Sequence, residues 1–316
     1  MANEAQFEEP IQRVRRRLEE LKSFAESPAR DREVQKLEEK LQKLSREIYE
    51  NLTPWQKTLV ARHPNRPFTL DYVRILIRDF VEWHGDRSFA DDPAIVAGFG
   101  FLGERAVAVI GHQKGRDTRE KIRRNFGMPR PEGYRKALRI MKIAEKFGKP
   151  VLSFIDTPGA FPGLESEERG VAEAIARNLL EMSTLRTPIL ATVIGEGGSG
   201  GALGIGIGDV VLMLEHSVYS VISPEGCAAI LWKDQARAKE AAEAMRLTAA
   251  DCKALGVIDE VLPEPPGGAH ADPVATIDTV GRAIGERLER LVRQPVEALL
   301  EGRYAKFRAM GAWEGA

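Results

Sequence analysis

The chain packs five glycines into seven residues, Gly195-Glu196-Gly197-Gly198-Ser199-Gly200-Gly201. Glycine at this density strips the Cβ atoms from one stretch of backbone, so its N–H groups can approach a ligand closely and the chain can turn sharply. An apolar run, Pro188 to Ile194, precedes the loop and reads as a buried strand. If a helix starts near Gly200, its uncapped N–H groups and its dipole point at whatever occupies the loop. That arrangement suits an anion, either a stable one or one that exists only in a transition state.

Three chemistries fit these residues. Gly195 to Gly200 matches G-x-G-x-x-G, with Glu215 further on, as in a dinucleotide-binding turn. Only about ten residues then separate the loop from the next apolar run, Val210 to Leu214, and four of them are glycine. That is too short and too glycine-rich for an ordinary crossover helix. Gly197-Gly198-Ser199-Gly200-Gly201 also matches the G-x-S-x-G nucleophile elbow. His216 and His270 lie downstream, but nothing in the sequence places either beside Ser199. The third chemistry is a backbone oxyanion hole with no side-chain nucleophile, in which the N–H groups of Gly200 and Gly201 do the work. A tight structural turn is the plain alternative to all three.

Two other segments carry chemical potential. Asp156-Thr157-Pro158-Gly159-Ala160-Phe161-Pro162-Gly163 follows the strand-like run Val151 to Ile155, and its two Pro-Gly pairs fix a rigid loop path. Gly159, Ala160 and Phe161 are the candidates there for a second backbone donor. Between Lys114 and Arg139, ten Lys and Arg residues face only Asp117, Glu120 and Glu132. Lys114, Arg116, Arg123 and Arg124 are its candidate binding residues, for phosphates or for an acidic partner. A solvated helix face with salt bridges elsewhere is the competing reading. Phe126 and Tyr134 are its only aromatics, so base stacking on nucleic acid is not favoured.

The elements that must position these residues alternate. Residues 5–50 are heavily charged, with Ile11, Val14, Leu18 and Leu21, then Val34, Leu37, Leu41, Leu44 and Ile48, at three- and four-residue steps. Ser27-Pro28 between them reads as an N-cap followed by Pro at N1. A helical hairpin is expected there, and a kink at Pro64 to Pro67. Leu70 to Phe80 is expected as a helix. Ile95–Phe99 and Ala106–Ile110 read as strands around a Gly103-Glu104 turn. Glu168 to Arg186 reads as a helix between the strands Val151–Ile155 and Ile189–Ile194. Helices are expected again after Ala236, with Gly281 to Met310 closing the chain. This is the pattern of an α/β layered fold.

The 316 residues suffice for a full core, and a hydrophobic content of 43% is ordinary for a globular protein. With a net charge of −1, no overall field draws the chain to nucleic acid or membrane. No apolar run approaches the twenty residues of a membrane span. No signal-peptide pattern opens the chain. Cys227 and Cys252 match no motif, and no Cys/His cluster has metal-ligand spacing. The expectation is a cytoplasmic protein with reduced thiols and no metal of its own.

Taken jointly, Gly111-His112-Gln113-Lys114-Gly115-Arg116, Arg123-Arg124-Asn125-Phe126-Gly127-Met128, Asp156 to Ala160, Glu167-Glu168-Arg169-Gly170, Gly195 to Leu203 and Ile222-Ser223-Pro224-Glu225-Gly226 resemble one family. It is the carboxyltransferase alpha subunit of bacterial acetyl-CoA carboxylase, within the crotonase-like superfamily. Phe161 stands where Tyr is expected in many relatives, a change that leaves the backbone donor in place. The resemblance implies a crotonase-like spiral of ββα units over residues 69–268, a helical N-terminal extension over 1–68 and a C-terminal helical segment over 269–316. It implies transfer of a carboxyl group from carboxybiotin, presented by a separate carrier protein, to acetyl-CoA, giving malonyl-CoA for fatty acid biosynthesis. It implies a beta subunit bearing a zinc ribbon and the acetyl-CoA-side oxyanion hole, in an α2β2 assembly, with an ATP-using biotin carboxylase in the same complex. A self-contained crotonase-like hydratase or thioesterase is the alternative, with Glu196 or Glu225 as its acid–base group.

Overall fold

A computed structural model describes residues 6–311; the outermost residues of the two expected terminal segments lie outside the described residues. The N-terminal hairpin forms as the periodicity requires. Helix α1, Glu9–Ser23, buries Ile11, Val14, Leu18 and Leu21. Helix α2, Pro28–Tyr49, starts where Ser27 accepts the Arg30 N–H, with Pro28 in its first turn. A capping box of Thr53 and Gln56 opens α3, Pro54–Ala61.

Helix α4, Thr69–Leu76, is shorter than expected, and the chain continues as strand β1, Ile77–Glu82. Leu70 to Phe80 is therefore not one helix. Apolar residues at helical spacing coincide there with β-branched and aromatic residues that pair on the next strand, Ile77 opposite Leu102 and Val81 opposite Phe99. A register shift between Arg78 and Val81, with Asp79 at φ +52°, ends any helical reading.

Strands β2, Ile95–Leu102, and β3, Arg105–His112, form a hairpin whose turn holds Gly103 at φ +57°. Helix α5, Thr118–Arg123, and helix α6, Pro131–Lys146, lead to β4, Val151–Thr157, which is buried at every position. The expected helix Glu168 to Arg186 forms as α8, Val171–Thr184, preceded by a short helix α7, Leu164–Glu168, that was not expected. The break falls at Gly170, in the left-handed region that glycine accepts without strain. Strand β5, Ile189–Gly198, is followed by α9, Ser199–Leu203.

Then come β6, Val210–Leu214, β7, Val218–Ser220, α10, Pro224–Trp232, α11, Ala238–Ala244, α12, Ala249–Ala254, and β8, Glu260–Leu262. Helices thus return before Ala236, at Ser223-Pro224, the same cap-then-proline signal as Ser27-Pro28. The C-terminal segment divides into α13, Pro273–Leu291, and α14, Val296–Arg308, because Pro295 starts a new helix rather than continuing the old one.

The sheet order is β1-β2-β3-β4-β5-β6-β8, antiparallel through β3 and parallel beyond. Both faces are covered. Val151, Ile155 and Val193 pack with Ile140, Met141 and Met182, while Leu152, Phe154 and Ile194 pack with Tyr72, Ile277 and Ile284. Alternate residues of one strand therefore serve two cores, which is why the central strands read as unbroken apolar runs. Strand β5 outlasts β6: Leu190 to Val193 pairs with β6, whereas Glu196 to Gly198 pairs with β7, and Gly197 still pairs with Thr157 of β4. That overhang carries the glycine-rich loop out of the core.

Candidate active site

The loop is a strand end, a sharp turn and one helical turn. Ser199 sits at φ +54°, costly for a residue with a Cβ. No side chain caps the first turn of α9. Its glycines differ in what they permit. A Cβ on Gly198 would meet the Pro158 carbonyl at 2.2 Å, and one on Gly201 would meet Gly159 C at 2.4 Å and Ala160 N at 2.5 Å. At Gly200 the nearest atom would be Ile175 Cδ1 at 3.5 Å, an ordinary contact. The backbone of α9 thus lies directly against the loop after β4, and Gly201 is the residue that lets it.

That contact sorts the candidate donors on the second loop. The Gly159 N–H already donates to Thr157 Oγ1 at 3.1 Å, and the Phe161 N–H donates to the Pro129 carbonyl at 2.9 Å. Among the described residues the Ala160 N–H has no internal acceptor. Of Gly159, Ala160 and Phe161, only Ala160 retains an uncommitted donor, and it is the one beside Gly201.

Beneath the two loops runs a chain of charges. Lys114 Nζ, just past β3, lies 2.7 Å from Asp156 Oδ1 and 3.2 Å from Glu196 Oε2. Arg62, after α3, reaches Glu196 Oε1 at 2.6 Å and Glu225 Oε1 at 2.5 Å. The Glu196 N–H donates to Asp156 Oδ1 at 3.0 Å, tying the two loop bases together. Burial pushes the Glu196 carboxyl up, but Lys114 and Arg62 outweigh it and hold it below the usual range. Burial and Arg62 act on Glu225 in the same opposed way, with the same net lowering. Both carboxylates are ionised struts, poorly suited to hold a catalytic proton at neutral pH.

Lys114→Met would strand the Asp156 carboxylate, which is 1% exposed. A loss of about 3 kcal/mol of folding stability is expected, as for a buried pair broken on one side, read by denaturant unfolding. A variant as stable as the parent would show that the pair contributes nothing.

The basic segment largely turns inward. Arg116 donates to the Pro64 and Arg66 carbonyls and pairs with Asp71, its guanidinium 4.0 Å above the Phe68 ring. Arg124 is buried and donates to the Pro93 carbonyl at 2.8 Å. Arg135 pairs with Asp86 and Lys136 with Asp91. Arg123 remains exposed on α5, beside exposed Ile122. The surplus charge visible in sequence is mostly compensated by acids from other elements, which leaves α5 as its outward-facing part. Charge reversal at Arg123 alone should weaken binding of a phosphate-bearing ligand or acidic partner, with an effect that shrinks as salt rises. Reversal at Arg124 should lower thermal stability instead. Equal and salt-independent behaviour of the two variants would remove any binding role for α5.

Neither downstream histidine serves Ser199. The His216 ring packs 5.4 Å from Tyr49, and His270 stacks on His63 at 3.7 Å, against the N-terminal hairpin. Glu8, His63 and His270 bring possible metal-ligand atoms within 4.8 Å of one another. The two rings lie 19° from parallel, however, so their lone pairs run side by side instead of converging on one ion. No hydrogen bond joins the Ser199 hydroxyl to a described side chain, and the nucleophile-elbow reading lacks its base.

Several residues of the site carry no local signal in sequence. Arg62 lies 134 residues from Glu196 and 163 from Glu225. Arg66 is fully buried and donates to the Ile194 carbonyl, Ser217 Oγ and Glu264. Tyr134 donates its hydroxyl to the Gly201 carbonyl at 3.3 Å, and Asn178 donates to the Gly204 carbonyl at 2.8 Å, fixing both ends of α9.

Residues 4–311 match the family described as acetyl co-enzyme A carboxylase carboxyltransferase-like. The acetyl-coenzyme A carboxylase carboxyl transferase subunit alpha of Syntrophotalea carbinolica is 57% identical over 306 residues, covering 96% of each chain. The protein of the same name from Xanthomonas campestris pv. campestris is 54% identical over 315 residues, covering 99% of each. Among solved structures, a transcarboxylase 12S, described as a hexamer binding methylmalonyl-coenzyme A, superposes with a TM-score of 0.58 at 19% identity, over 74% of this chain and 43% of that one. At that identity the likeness speaks for the fold alone.

Proposed function

Because the chain belongs to the acetyl-CoA carboxylase carboxyltransferase family and has its crotonase-like fold, we propose that it is the alpha subunit that transfers a carboxyl group from carboxybiotin to acetyl-CoA. The product is malonyl-CoA, the building unit of fatty acid biosynthesis. The observation that carries this reading is the contact of Gly201 with the Ala160 peptide, which brings one uncommitted N–H beside the uncapped first turn of α9.

Loss of carbon dioxide from a carboxylated ureido nitrogen leaves charge on the ureido oxygen. The Ala160 N–H and the N–H groups of Gly200 and Gly201 are the donors this chain can aim at it. The freed ureido nitrogen can itself take the methyl proton of acetyl-CoA, so no protein acid or base is required. This suits a site whose nearby carboxylates, Asp156, Glu196 and Glu225, are all held in ion pairs.

The second anionic oxygen, the thioester enolate of acetyl-CoA, needs a second pair of donors. A zinc-ribbon beta subunit is proposed to supply them, in an α2β2 assembly. The carrier protein and an ATP-using biotin carboxylase complete the complex. No helix of the described residues is long and apolar enough to cross a membrane, and a cytoplasmic location is proposed.

A hydratase or thioesterase of the same fold would need a protonatable carboxyl beside Gly200, and Glu196 and Glu225 do not offer one. Assaying the chain, with and without the beta subunit, for hydration of enoyl-CoA and for malonyl-CoA-dependent carboxylation of biotin separates the two. Carboxylation without hydration is expected; hydration by the chain alone would overturn the reading.

A further inference from the structure

His112 ends β3 directly beneath the two loops and takes no part in the chemistry just described. Its ring is wholly buried. Nδ1 accepts the Asp156 N–H at 3.4 Å, a long bond on which the ring proton is assigned to Nε2. Nε2 has no hydrogen-bond partner. The ring lies within polar reach of the Gly201 and Phe154 carbonyls, and burial pushes its pKa down to about 3, so it stays neutral throughout the working range. A buried donor without an acceptor is costly, and its persistence asks for a reason.

The position suggests one. The Asp156 N–H belongs to the strand end that becomes the Ala160 loop. The Gly201 carbonyl belongs to α9, where the regular pattern ends: Gly204 N–H still donates to Gly200, but Ile205 N–H skips to Ala202, and among the described residues the Tyr134 hydroxyl, at 3.3 Å, is the donor that hydrogen-bonds Gly201. A carbonyl has a second lone pair to offer.

We propose that His112 is a positioning residue for carboxyl transfer: its neutral ring spans the two donor loops, holding the Asp156 peptide through Nδ1 and presenting Nε2–H to the Gly201 carbonyl at polar reach rather than in a formed hydrogen bond. Held in this way, the N–H groups of Ala160 and Gly201 keep their mutual spacing while charge builds on the bound oxygen. The proposal rests on the oxyanion-hole reading of these loops, and half of its test does not.

Two substitutions separate the Nδ1 bond from the Nε2 contact. His112→Asn keeps an acceptor close to the backbone, where Nδ1 sits, but cannot reach Gly201. His112→Gln extends an amide N–H to about the distance of Nε2. Hydrogen exchange of the peptide spanning residues 199–205, measured on the chain itself, should be at least tenfold faster in His112→Asn and close to the parent in His112→Gln. In the assembled enzyme, His112→Asn should lose about ten- to a hundredfold in kcat with KM unchanged, less than the 10²–10³ of deleting a donor outright. His112→Gln should recover most of that loss.

A purely structural histidine would lower the melting temperature of both variants alike and leave kcat per folded enzyme at the parent value. That result, or unchanged exchange in both variants, overturns the proposal. A parent enzyme without carboxyl-transfer activity would count against the functional reading, while the exchange comparison would still decide what His112 holds in place.

Discussion

Gly201→Val should abolish carboxyl transfer, while Ser199→Ala and Gly200→Ala leave most of it. The three residues are neighbours, so the contrast isolates what each contributes. A Cβ at Gly201 would lie 2.4 Å from Gly159 C and 2.5 Å from Ala160 N, and neither is a flexible side-chain tip that could move aside. The two loops would be forced apart. Loss of one oxyanion donor costs roughly two to three orders of magnitude in rate, and this change displaces donors on both loops at once. A fall of at least about a thousandfold in kcat is expected on that basis, with circular dichroism confirming that the chain still folds. Gly200 has room for a methyl group and keeps its N–H as alanine. Ser199→Ala removes a hydroxyl that bonds to no described side chain and preserves the backbone. A nucleophilic serine predicts the reverse, because its removal costs many orders of magnitude. An inactive, folded Ser199→Ala beside an active Gly201→Val would therefore make this enzyme a hydrolase.

The loop was legible in sequence because its chemistry is that of the backbone, and backbone exposure is written as local glycine density. The same holds for the hairpin of α1 and α2, where Ser27-Pro28 states the cap and the spacing of Ile11 to Leu21 states the buried face. What could not be read was long-range pairing. The run from Lys114 to Arg139 fitted either a binding surface or a face salt-bridged elsewhere, and sequence could not name the acids that meet its charges, Asp71, Asp86, Asp91, Asp156 and Glu196, which folding alone brings near. Arg62 was equally hidden. It lies in the segment expected to be a helical N-terminal extension, and its guanidinium joins Glu196 to Glu225 beneath the loop. Leu70 to Phe80 failed for another reason. Spacing of 3.6 and β-forming residues overlapped over too few residues to choose between them, and pairing of β1 with β2 decided the outcome.

The isolated chain should transfer no measurable carboxyl group between malonyl-CoA and biotin, and adding the beta subunit should raise the rate by at least about a thousandfold, the worth of one missing oxyanion donor. The reaction develops negative charge on two carbonyl oxygens in turn, and each needs donors aimed at it in a site closed to water. Among the described residues one such junction is present, at Ala160 and Gly201, and no second loop is as rich in glycine as Gly195 to Gly201. The surroundings of that junction are those of an uncovered half. An apolar cavity of about 300 Å3 opens beside Ser199 and Leu203, lined further by Tyr219, Val221 and Phe307. Val221 in that lining is 79% exposed, apolar surface that a partner could cover. A partner seated there would exclude solvent and strengthen each hydrogen bond to the developing charge. The measurement is malonyl-CoA consumption with a soluble biotin derivative, at fixed chain concentration and increasing beta subunit, with the zinc content of the partner verified. Saturation at one partner per chain is expected. Transfer by the purified chain alone at a rate comparable to the assembled enzyme would mean that both oxyanion holes lie within these residues.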